Sequence, residues 1–303
     1  MENSEKIKIS IIILSWNTKK ILAQCLKSLG DSKDLQIIIV DNHSIDGSPQ
    51  MIAKNFPSVK LIKNKHNLGF AKGNNQGIKK ANGDFIMLLN SDTIVPKGAV
   101  QKLATFLKDN PSVGAVSPLL YFPSGKIQTD YYMRFPNIFQ IFGYHNPFLR
   151  PIILKTFFKR LILSPLKKKK AFPVDQLPGA ALMVKREVFE KVGLLDEKFK
   201  FLYEDVDWCW RAKKSGYQLM VLPEVKITHL GGASWKQKMN LQSLSFYKQY
   251  FASMLFFAKK NYGNLKFSFF KIALVINFIF TFKFNLAFWF AFTKGYQQQK
   301  LWP

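Results

Sequence analysis

The chain has 303 residues, 48% of them hydrophobic and 21% charged, so it can bury a sizeable core and is not a disordered protein. Its two cysteines, Cys25 and Cys209, are isolated, which argues against a disulfide framework or a cysteine-based zinc site. The formal net charge of +26 predicts a polyanionic partner: nucleic acid, an acidic membrane face or a phosphorylated substrate.

Apolar runs alternate with helical patterns along the first 92 residues. Buried strands are predicted at 7–15, 35–42, 59–64 and 84–92, and helices at 18–29 and 70–81. This alternation predicts parallel βαβ units, in which ligands bind beyond the carboxyl ends of the strands. Polar residues fall at or just after those ends: Ser15, Asn17, Asp41, Asn42 and Asp92.

The second half is less regular. Residues 119–175 are predicted to form a variable insert with aromatic, proline and lysine clusters. A strand is predicted at 179–184, helices at 186–193 and 201–217, a last strand at 217–223, and a glycine-containing loop at 227–234. The sequence thus predicts one domain over 1–240 and a separate helical tail over 241–303.

Positive charge is concentrated in two aromatic segments. No Asp or Glu occurs between Tyr131 and Lys170 or after Glu224, and the tail from Leu241 holds 14 of the 29 phenylalanines. This pattern predicts contact with an anionic lipid surface. Between Lys271 and Lys294 only Lys283 is charged, which favours helices lying in the interface and leaves a single membrane span as the alternative.

Two polar stretches follow predicted strands. In "VDNHSIDGS" (40–48) the Asp41 carboxylate can accept a hydrogen bond from a nucleotide base or ribose, although an acid capping its own turn has the same pattern. "HNLGFAKGNNQG" (66–77) offers Asn67 to sugar hydroxyls or diphosphate, and Lys72 to phosphate charge. A plain glycine-rich turn is the alternative for this second stretch.

Carboxylates stand in two further stretches. "LLNSDT" (88–93) places Asn90 and Asp92 at a strand end, where an aspartate can bind Mg²⁺ or Mn²⁺, although turns often have this pattern. "FLYEDVDWCWRAKKSGY" (201–217) gathers three acids in four positions, which suits either a helix start or a catalytic base. His229, in "THLGGAS", is a candidate ligand, although a lone histidine is more often structural.

These stretches, in this order, resemble inverting family 2 glycosyltransferases of the GT-A fold, from about Ile7 to Ser234. The resemblance rests on "VDNHSIDGS", "NLGFAKGNNQGI", "LLNSDT", "PGAALMVKREVFEKVGLLDEKFKFLYEDVDWCWRAKKSGY" and "HLGG". The nearest subgroup is the rhamnosyltransferase-like enzymes that extend bacterial surface polysaccharides. The expected fold is α/β, with a Rossmann-like, mostly parallel sheet and a hydrophobic helical tail at the C-terminus.

The resemblance implies a role for each matching residue. Asp41 would contact the base, Asp92 and His229 a divalent cation, Mg²⁺ or Mn²⁺, and Asp205 would act as the catalytic base. Asn90 stands where the fuller Asp-x-Asp motif has its first acid, which removes one negative charge from the expected metal site. The wider expected sets are Ser15, Asn17, Asp41, Asn42, Asn67, Lys72 and Asn90 for the donor, and Glu204, Asp207 and Trp208 for the acceptor.

The expected reaction is a single displacement from a nucleotide-diphosphate sugar, with thymidine-diphosphate rhamnose as the first guess. The acceptor would be a hydroxyl of a growing, lipid-linked surface glycan at the cytoplasmic face of the membrane, with the enzyme attached peripherally or by one span. Three rivals are a nucleic-acid-binding protein, a silent glycosyltransferase-like assembly protein and a nucleotidyltransferase. Only five of the 45 basic residues are arginine, which disfavours the first rival.

Overall fold

The computed structural model describes residues 7–30, 34–164, 166, 169–232 and 244–293. Its first half confirms the predicted alternation, with one further helix at 48–55. Three isoleucines of the first strand, Ile11 to Ile13, are fully buried because both faces of the sheet are covered. The elements are β1 (Ile9–Ser15), α1 (Lys19–Leu29), β2 (Leu35–Asp41), α2 (Ser48–Asn55), β3 (Lys60–Lys63), α3 (Phe70–Ile78) and β4 (Phe85–Asn90).

The second half completes one mixed sheet. Its elements are β5 (Thr93–Ile94), α4 (Ala99–Asp109), β6 (Val113–Tyr121), a 3₁₀ helix (Thr129–Tyr132), α5 (Ile138–Gly143), α6 (Arg150–Ile153), α7 (Lys159–Ile162), β7 (Phe172–Pro173), β8 (Ala181–Lys185), α8 (Arg186–Val192), α9 (Glu204–Lys214) and β9 (Gln218–His229). The strand order is β3-β2-β1-β4-β8-β6-β9-β5, and β7 pairs with β9. Strands β1 to β4 pair in parallel, whereas β8 is antiparallel to both of its neighbours.

Two predictions about the second half are corrected. The last strand does not end at residue 223 but continues to His229, so the predicted loop at 227–234 begins only at Leu230. Its residues 233 and 234 lie outside the described part of the chain. The predicted insert at 119–175 contains the end of β6 and all of β7 within its bounds, so both of its ends belong to the central sheet.

The tail forms α10 (Leu244–Phe280) and α11 (Phe284–Phe292), and Gly263 kinks α10 at φ 84°. Among the described residues, α10 is the one helix long and apolar enough to cross a membrane, judged by length and composition alone. Two hydrophobic clusters contain the sheet residues and the helices packed on them, and a third joins the tail to Phe199 and Tyr203.

Candidate active site

A cleft opens at the carboxyl ends of the central parallel strands. The register aligns Ser15 of β1 with Asp41 of β2, and Leu14 of β1 with Asn90 of β4, so the polar residues after these strands meet at one edge. The loop before α9 forms the opposite wall. The cleft is lined by Leu14, Trp16, Asn42, Asn67, Gly69, Phe70, Asn90, Ser91, Asp92, Tyr131, Gly179, Ala180, Lys200, Phe201, Leu202, Glu204, Asp205 and Gly232.

Asp41 is buried at the end of β2 and is not among the residues that line the cleft, although the next residue, Asn42, is. Its Oδ1 accepts a hydrogen bond from the Ser44 N–H at 2.9 Å, as an acid capping its own turn does. Its Oδ2 is buried and has no hydrogen-bond partner within the described residues. A buried carboxylate oxygen left unpaired is costly, so Asp41 retains an accepting position for a ligand in addition to its turn-capping role.

Other residues that were predicted to bind the sugar donor form hydrogen bonds at this edge of the sheet. The Asn17 backbone N–H donates to Ser44 Oγ at 2.9 Å, and the Ser15 hydroxyl lies 3.1 Å from that of Thr18. Asn42 Nδ2 donates to Asn67 Oδ1 at 3.1 Å. Asn42 and Asn67 line the cleft, whereas Ser15 and Asn17 stand behind it.

The helix α3 differs from the predicted phosphate-binding segment. A Cβ on Gly73 would lie 2.4 Å from Leu14 Cδ1, and one on Gly77 would lie 2.3 Å from Ile12 Cγ2. Both glycines are therefore explained by close packing of α3 on β1, which differs from a phosphate contact and from the plain glycine-rich turn named as its alternative. Lys72 is exposed on α3 and is not among the residues that line the cleft.

Asp92 and His229 meet on adjacent strands, since Thr93 of β5 pairs with His229 at the end of β9. His229 Nε2 lies 3.2 Å from Asp92 Oδ1 and 3.2 Å from Asn90 Nδ2. Gln128 Nε2 donates to the His229 carbonyl, which turns Gln128 Oε1 toward His229 Nδ1 at 2.8 Å. This network assigns the proton to Nδ1 and leaves a lone pair on Nε2, facing the Asp92 carboxylate.

Two acceptor atoms facing each other at this distance suit a cation between or beside them. Carboxylate oxygen and imidazole nitrogen are both ligands of Mn²⁺, so the donor set fits a divalent ion. Within the described residues no group of three or more His, Cys, Asp or Glu side chains could hold an ion. Asp92 and His229 are therefore two described side chains that could serve as ligands of such an ion.

Glu204 and Asp205 enter the cleft from the first turn of α9. The two residues before them have left-handed backbones, Leu202 at φ 59° and Tyr203 at φ 72°, which is strained for such side chains. Asp205 Oδ2 accepts a hydrogen bond from the Gly179 N–H at 2.9 Å, and its Oδ1 accepts one from the Val206 N–H at 2.8 Å. These two bonds aim one face of the Asp205 carboxyl into the cleft.

The environments of the two carboxyl groups differ. Burial, and to a lesser extent the charge of Asp205, raises the pKa of Glu204 to about 8. Burial also raises the pKa of Asp205, but the N–H groups of Gly179 and Val206 oppose that rise by stabilising its charged form. Glu204 Oε2 is buried without a hydrogen-bond partner in the described chain, so a proton shared by the pair belongs on Glu204.

The structure gives Asp207 and Trp208 different roles from the predicted contact with an acceptor. Trp208 is fully buried in the core, where its Nε1 donates to the Gly193 carbonyl at 3.0 Å. Asp207 is also fully buried and pairs with Arg211 at 2.9 Å and Lys260 at 2.7 Å. Neither lines the cleft, because both point from the sides of α9 that face the protein.

Sequence reasoning missed several residues at the cleft. Tyr131 comes from the insert, and its ring meets that of His229 edge-on, with centroids 5.4 Å apart. Tyr131 lines the cleft, and burial raises its pKa far above the usual range, with the charges of Asp92 and Asp205 adding to the rise. Gln128 was missed as well. Neither residue belongs to a recognisable motif, so only the fold brings them to the site.

A family model described as glycosyl transferase family 2 matches residues 10–193. The N-acetylglucosaminyl-diphospho-decaprenol L-rhamnosyltransferase of Mycobacterium tuberculosis is 27% identical over 216 residues, which cover 67% of this chain and 68% of that protein. The poly-beta-1,6-N-acetyl-D-glucosamine synthase of Staphylococcus aureus is 26% identical over 254 residues, which cover 76% of this chain and 53% of that protein.

Solved structures show the same fold. The mannosyltransferase PcManGT from Pyrobaculum calidifontis, in complex with GDP-Man and Mn²⁺, has a TM-score of 0.59 at 15% identity and covers 94% of this chain and 74% of that chain. A crystal structure of S. aureus TarS 1-349 has a TM-score of 0.55 at 15% identity and covers 93% of this chain and 74% of that chain. At this identity the likeness shows the fold alone, and it confirms the predicted GT-A architecture.

Proposed function

Because the chain belongs to glycosyl transferase family 2, as its motifs predicted, we propose that it transfers a sugar from a nucleotide-diphosphate donor by inverting displacement, with Asp205 as the base. The observation that carries this proposal is the cleft itself. Asp205 and Asp92 both line it, and Asp92 contacts His229. A base and a diphosphate-binding pair thus share one space.

The displacement follows from these positions. The Asp205 carboxylate takes the proton of an acceptor hydroxyl, and that oxygen attacks the anomeric carbon from the face opposite the diphosphate. A carbon–oxygen bond forms as the bond to the diphosphate breaks, and a nucleoside diphosphate leaves. Glu204, carrying a proton, donates a hydrogen bond to the acceptor sugar and adds no second negative charge beside the base.

Asp92 and His229 are the residues that would hold a divalent cation, Mg²⁺ or Mn²⁺. When bound, such an ion supplies positive charge to a diphosphate leaving group. Asn90 Nδ2 hydrogen-bonds His229 Nε2, and a bound cation would replace Asn90 at that nitrogen, so the amide orients the ring at a position where the fuller motif has an acid. Asp41, through its unpaired Oδ2, accepts a hydrogen bond from the nucleotide base or ribose.

The donor and acceptor are proposed from similarity and chemistry together. The relative from Mycobacterium tuberculosis is named for rhamnosyl transfer to a decaprenol diphosphate that carries N-acetylglucosamine. We therefore assign thymidine-diphosphate rhamnose as the first donor to test and a lipid-linked glycan as the acceptor. Trp16, Phe70 and Leu202 give the cleft an apolar wall, which suits the methyl group of a 6-deoxy sugar. The basic, acid-free segments favour work at the cytoplasmic face of a membrane.

A panel of nucleotide sugars with Mg²⁺ or Mn²⁺ tests this function. The expected result is that one donor raises the unfolding temperature and releases a nucleoside diphosphate when a glycan acceptor is added. Release of free diphosphate would instead identify a nucleotidyltransferase. If no donor bound or turned over, an assembly role would replace the enzymatic one, and retention by random DNA at moderate salt would favour the nucleic-acid alternative.

The role of Asp205 is tested by Asp205→Asn. The amide cannot accept the acceptor's proton, so we expect transfer to fall by about 10²-fold or more while donor affinity stays within twofold. Donor affinity is measured by calorimetric titration and transfer by product release. Normal turnover in Asp205→Asn would reject Asp205 as the base.

A further inference from the structure

The end of the C-terminal hairpin carries an exposed aromatic cluster. Beyond Gly263, α10 runs out and α11 returns beside it, with the Phe278 and Phe290 rings 5.6 Å apart. Lys271 Nζ donates to the Thr293 carbonyl at 3.0 Å, which ties the end of α11 to the middle of this part of α10. At its closed end three side chains are largely exposed: Phe280 by 67%, Phe282 by 75% and Phe284 by 57%.

The insert supplies a second exposed apolar patch next to this hairpin. Asn146 Nδ2 donates to Asn277 Oδ1 at 2.9 Å, and both side chains are buried, so the start of α6 is held one helical turn from the hairpin end. The insert then exposes Phe148, Ile152 and Phe157. We call residues 279–284 of the hairpin and 148–160 of the insert the docking face.

The charge of the docking face identifies its partner. Arg150, Lys155, Lys159 and Arg160 are exposed among its aromatic side chains, and the chain has no acid between 131 and 170 or after Glu224. Lys283 lies 3.6 Å from the centre of the Tyr247 ring, so its charge is drawn back from the hairpin end. Cations beside exposed aromatic residues complement the anionic headgroups and acyl chains of a lipid surface.

The length of α10 beyond Gly263 distinguishes docking on a membrane from spanning it. The 17 residues of α10 beyond Gly263 extend about 26 Å, less than the roughly 30 Å of a bilayer core. One side of that segment is buried against protein, at Ala273, Leu274 and Phe278. We propose that the docking face inserts into one leaflet of an anionic membrane without crossing it. This inference rests on the membrane attachment in the proposed function and identifies the surface that makes the contact.

Vesicle sedimentation tests the docking face. The wild-type chain should bind vesicles that contain phosphatidylglycerol and bind phosphatidylcholine vesicles much less. The double variant Phe280→Ser, Phe282→Ser should lose about tenfold or more in partition coefficient, because it removes two inserted rings. A matched control, Ile45→Ser with Phe122→Ser, removes two exposed apolar side chains from the catalytic domain and should bind as the wild type does.

A second pair of variants tests the charges. Lys155→Glu with Lys159→Glu should abolish the preference for anionic vesicles, whereas Lys102→Glu with Lys108→Glu, on α4, makes the same change in net charge and should retain it. Equal binding by the wild type and the Phe280, Phe282 variant, or equal loss in both charge variants, would overturn the proposal. Resistance of the wild type to alkaline carbonate extraction would overturn insertion into one leaflet. Binding is measured without substrate, so failure here leaves the donor panel unaffected.

A separate set of contacts lies on the buried side of α10, before the kink. Ser253 Oγ donates to the Phe201 carbonyl at 2.5 Å, and the Tyr203 hydroxyl donates to that of Tyr250 at 3.3 Å. Lys260 Nζ lies 2.7 Å from Asp207 Oδ1. These bonds hold the strained residues before Glu204 and the first turn of α9. We infer that α10 positions the catalytic carboxyl groups, with Lys260 as one positioning residue beside Asn261, whose Nδ2 donates to Asp207 Oδ1 at 3.0 Å.

Replacing Lys260 tests this second inference. Lys260→Met should lower kcat about tenfold with donor affinity within twofold, because the carboxyl groups shift while the nucleotide edge stays in place. Lys260→Arg should restore most of kcat, and Lys266→Met, beyond the kink, should leave kcat unchanged. Rates are expressed per nucleotide-binding site, so partial unfolding does not count as lost catalysis. A purely structural Lys260 would lower stability with kcat per site unchanged, and that result would overturn the inference.

Discussion

Two adjacent carboxyl groups acquire different properties because their backbone surroundings differ. Asp205 receives hydrogen bonds from the N–H groups of Gly179 and Val206, whereas the buried Oε2 of Glu204 has no partner in the described residues. One proton on this pair therefore stays with Glu204, and Asp205 keeps the charge that its proposed role as the base requires. The sequence predicted the acids at this place, but their division of labour depends on Gly179, which is 26 residues away.

The pKa of Glu204 predicts how stability varies with pH. Its pKa rises from 4.5 to about 8 on folding, so between about pH 4.5 and 8 the folded state binds more protons than the unfolded state. The free energy of unfolding should therefore fall as pH rises through this window. In Glu204→Gln, which mimics the protonated form, the fall should be smaller by about 1 kcal/mol or more. Urea unfolding across the window measures both proteins.

The control for this experiment is Glu190→Gln, which makes the same change at an exposed carboxyl on α8. It should retain the pH dependence of the wild type. If Glu204→Gln also retained it in full, the Glu204 carboxyl would be ionised in the folded state throughout the window, and its role as a proton holder would be lost.

The orientation of the His229 ring depends on Gln128, which belongs to none of the predicted motifs. Gln128 Oε1 accepts a hydrogen bond from the Nδ1–H group of His229, which leaves the Nε2 lone pair beside Asp92. Gln128→Met keeps the size of the side chain but removes the acceptor. We expect Mn²⁺ affinity, measured by calorimetric titration in the presence of a nucleoside diphosphate, to fall about 10–100-fold.

Gln140→Met is the matched control, since Gln140 and Gln128 are each 2% exposed and Gln140 lies in α5. Its substitution should reduce stability through its lost bond to the Arg134 carbonyl and leave ion affinity unchanged. Equal Mn²⁺ affinities in the two variants would show that Gln128 does not contribute to ion binding by His229.

The strands that the sequence predicted best are those buried on both faces, such as β1 and β2, because a continuous apolar run identifies them directly. The extent of β9 was not predictable in the same way. A proline typically ends a strand, and Pro223 was expected to end β9. The pairing of β9 with β6 shifts register between Pro118–Leu222 and Leu119–Lys226. Pro223 lies in this irregularity, and pairing resumes beyond it. Because pairing resumes beyond Pro223, His229 reaches the site. The pairing depends on the partner strand β6, so the local sequence around Pro223 does not show it.

Helix α3 illustrates how a motif acquires a structural explanation. Its glycines resemble a phosphate-binding loop in sequence, but in the fold they allow α3 to approach β1. Gly77→Ala should destabilise the protein by about 1–3 kcal/mol, since the new Cβ would overlap Ile12 Cγ2. Lys79→Ala, an exposed change at the end of the same helix, should have little effect. Donor affinity per folded molecule should be unchanged in both, and a selective loss in Gly77→Ala would instead support a contact with diphosphate.

The division of the chain at residue 240 is predicted from sequence composition alone. In the structure, the helical tail packs against residues of the predicted catalytic domain. Phe257 of the tail contacts Tyr203 and Trp210, with ring centroids 6.3 and 6.0 Å apart, so one hydrophobic cluster includes residues from both predicted domains. Two segments that share a core are expected to unfold together. The boundary itself stays a prediction, because residues 233–243 lie outside the described chain.

Cooperative unfolding of the whole molecule can be tested at Phe257. Phe257→Ala should cost about 3–5 kcal/mol, because it empties a fully buried ring position. If the two segments form one unit, hydrogen exchange should accelerate by the same free energy at the β1 and β4 amides as at those of α10. Phe269→Ala makes the same change at an exposed position of α10 and should leave both unchanged. Faster exchange confined to the tail would mean that the catalytic domain folds independently, and that its strained loop before α9 keeps its shape without α10.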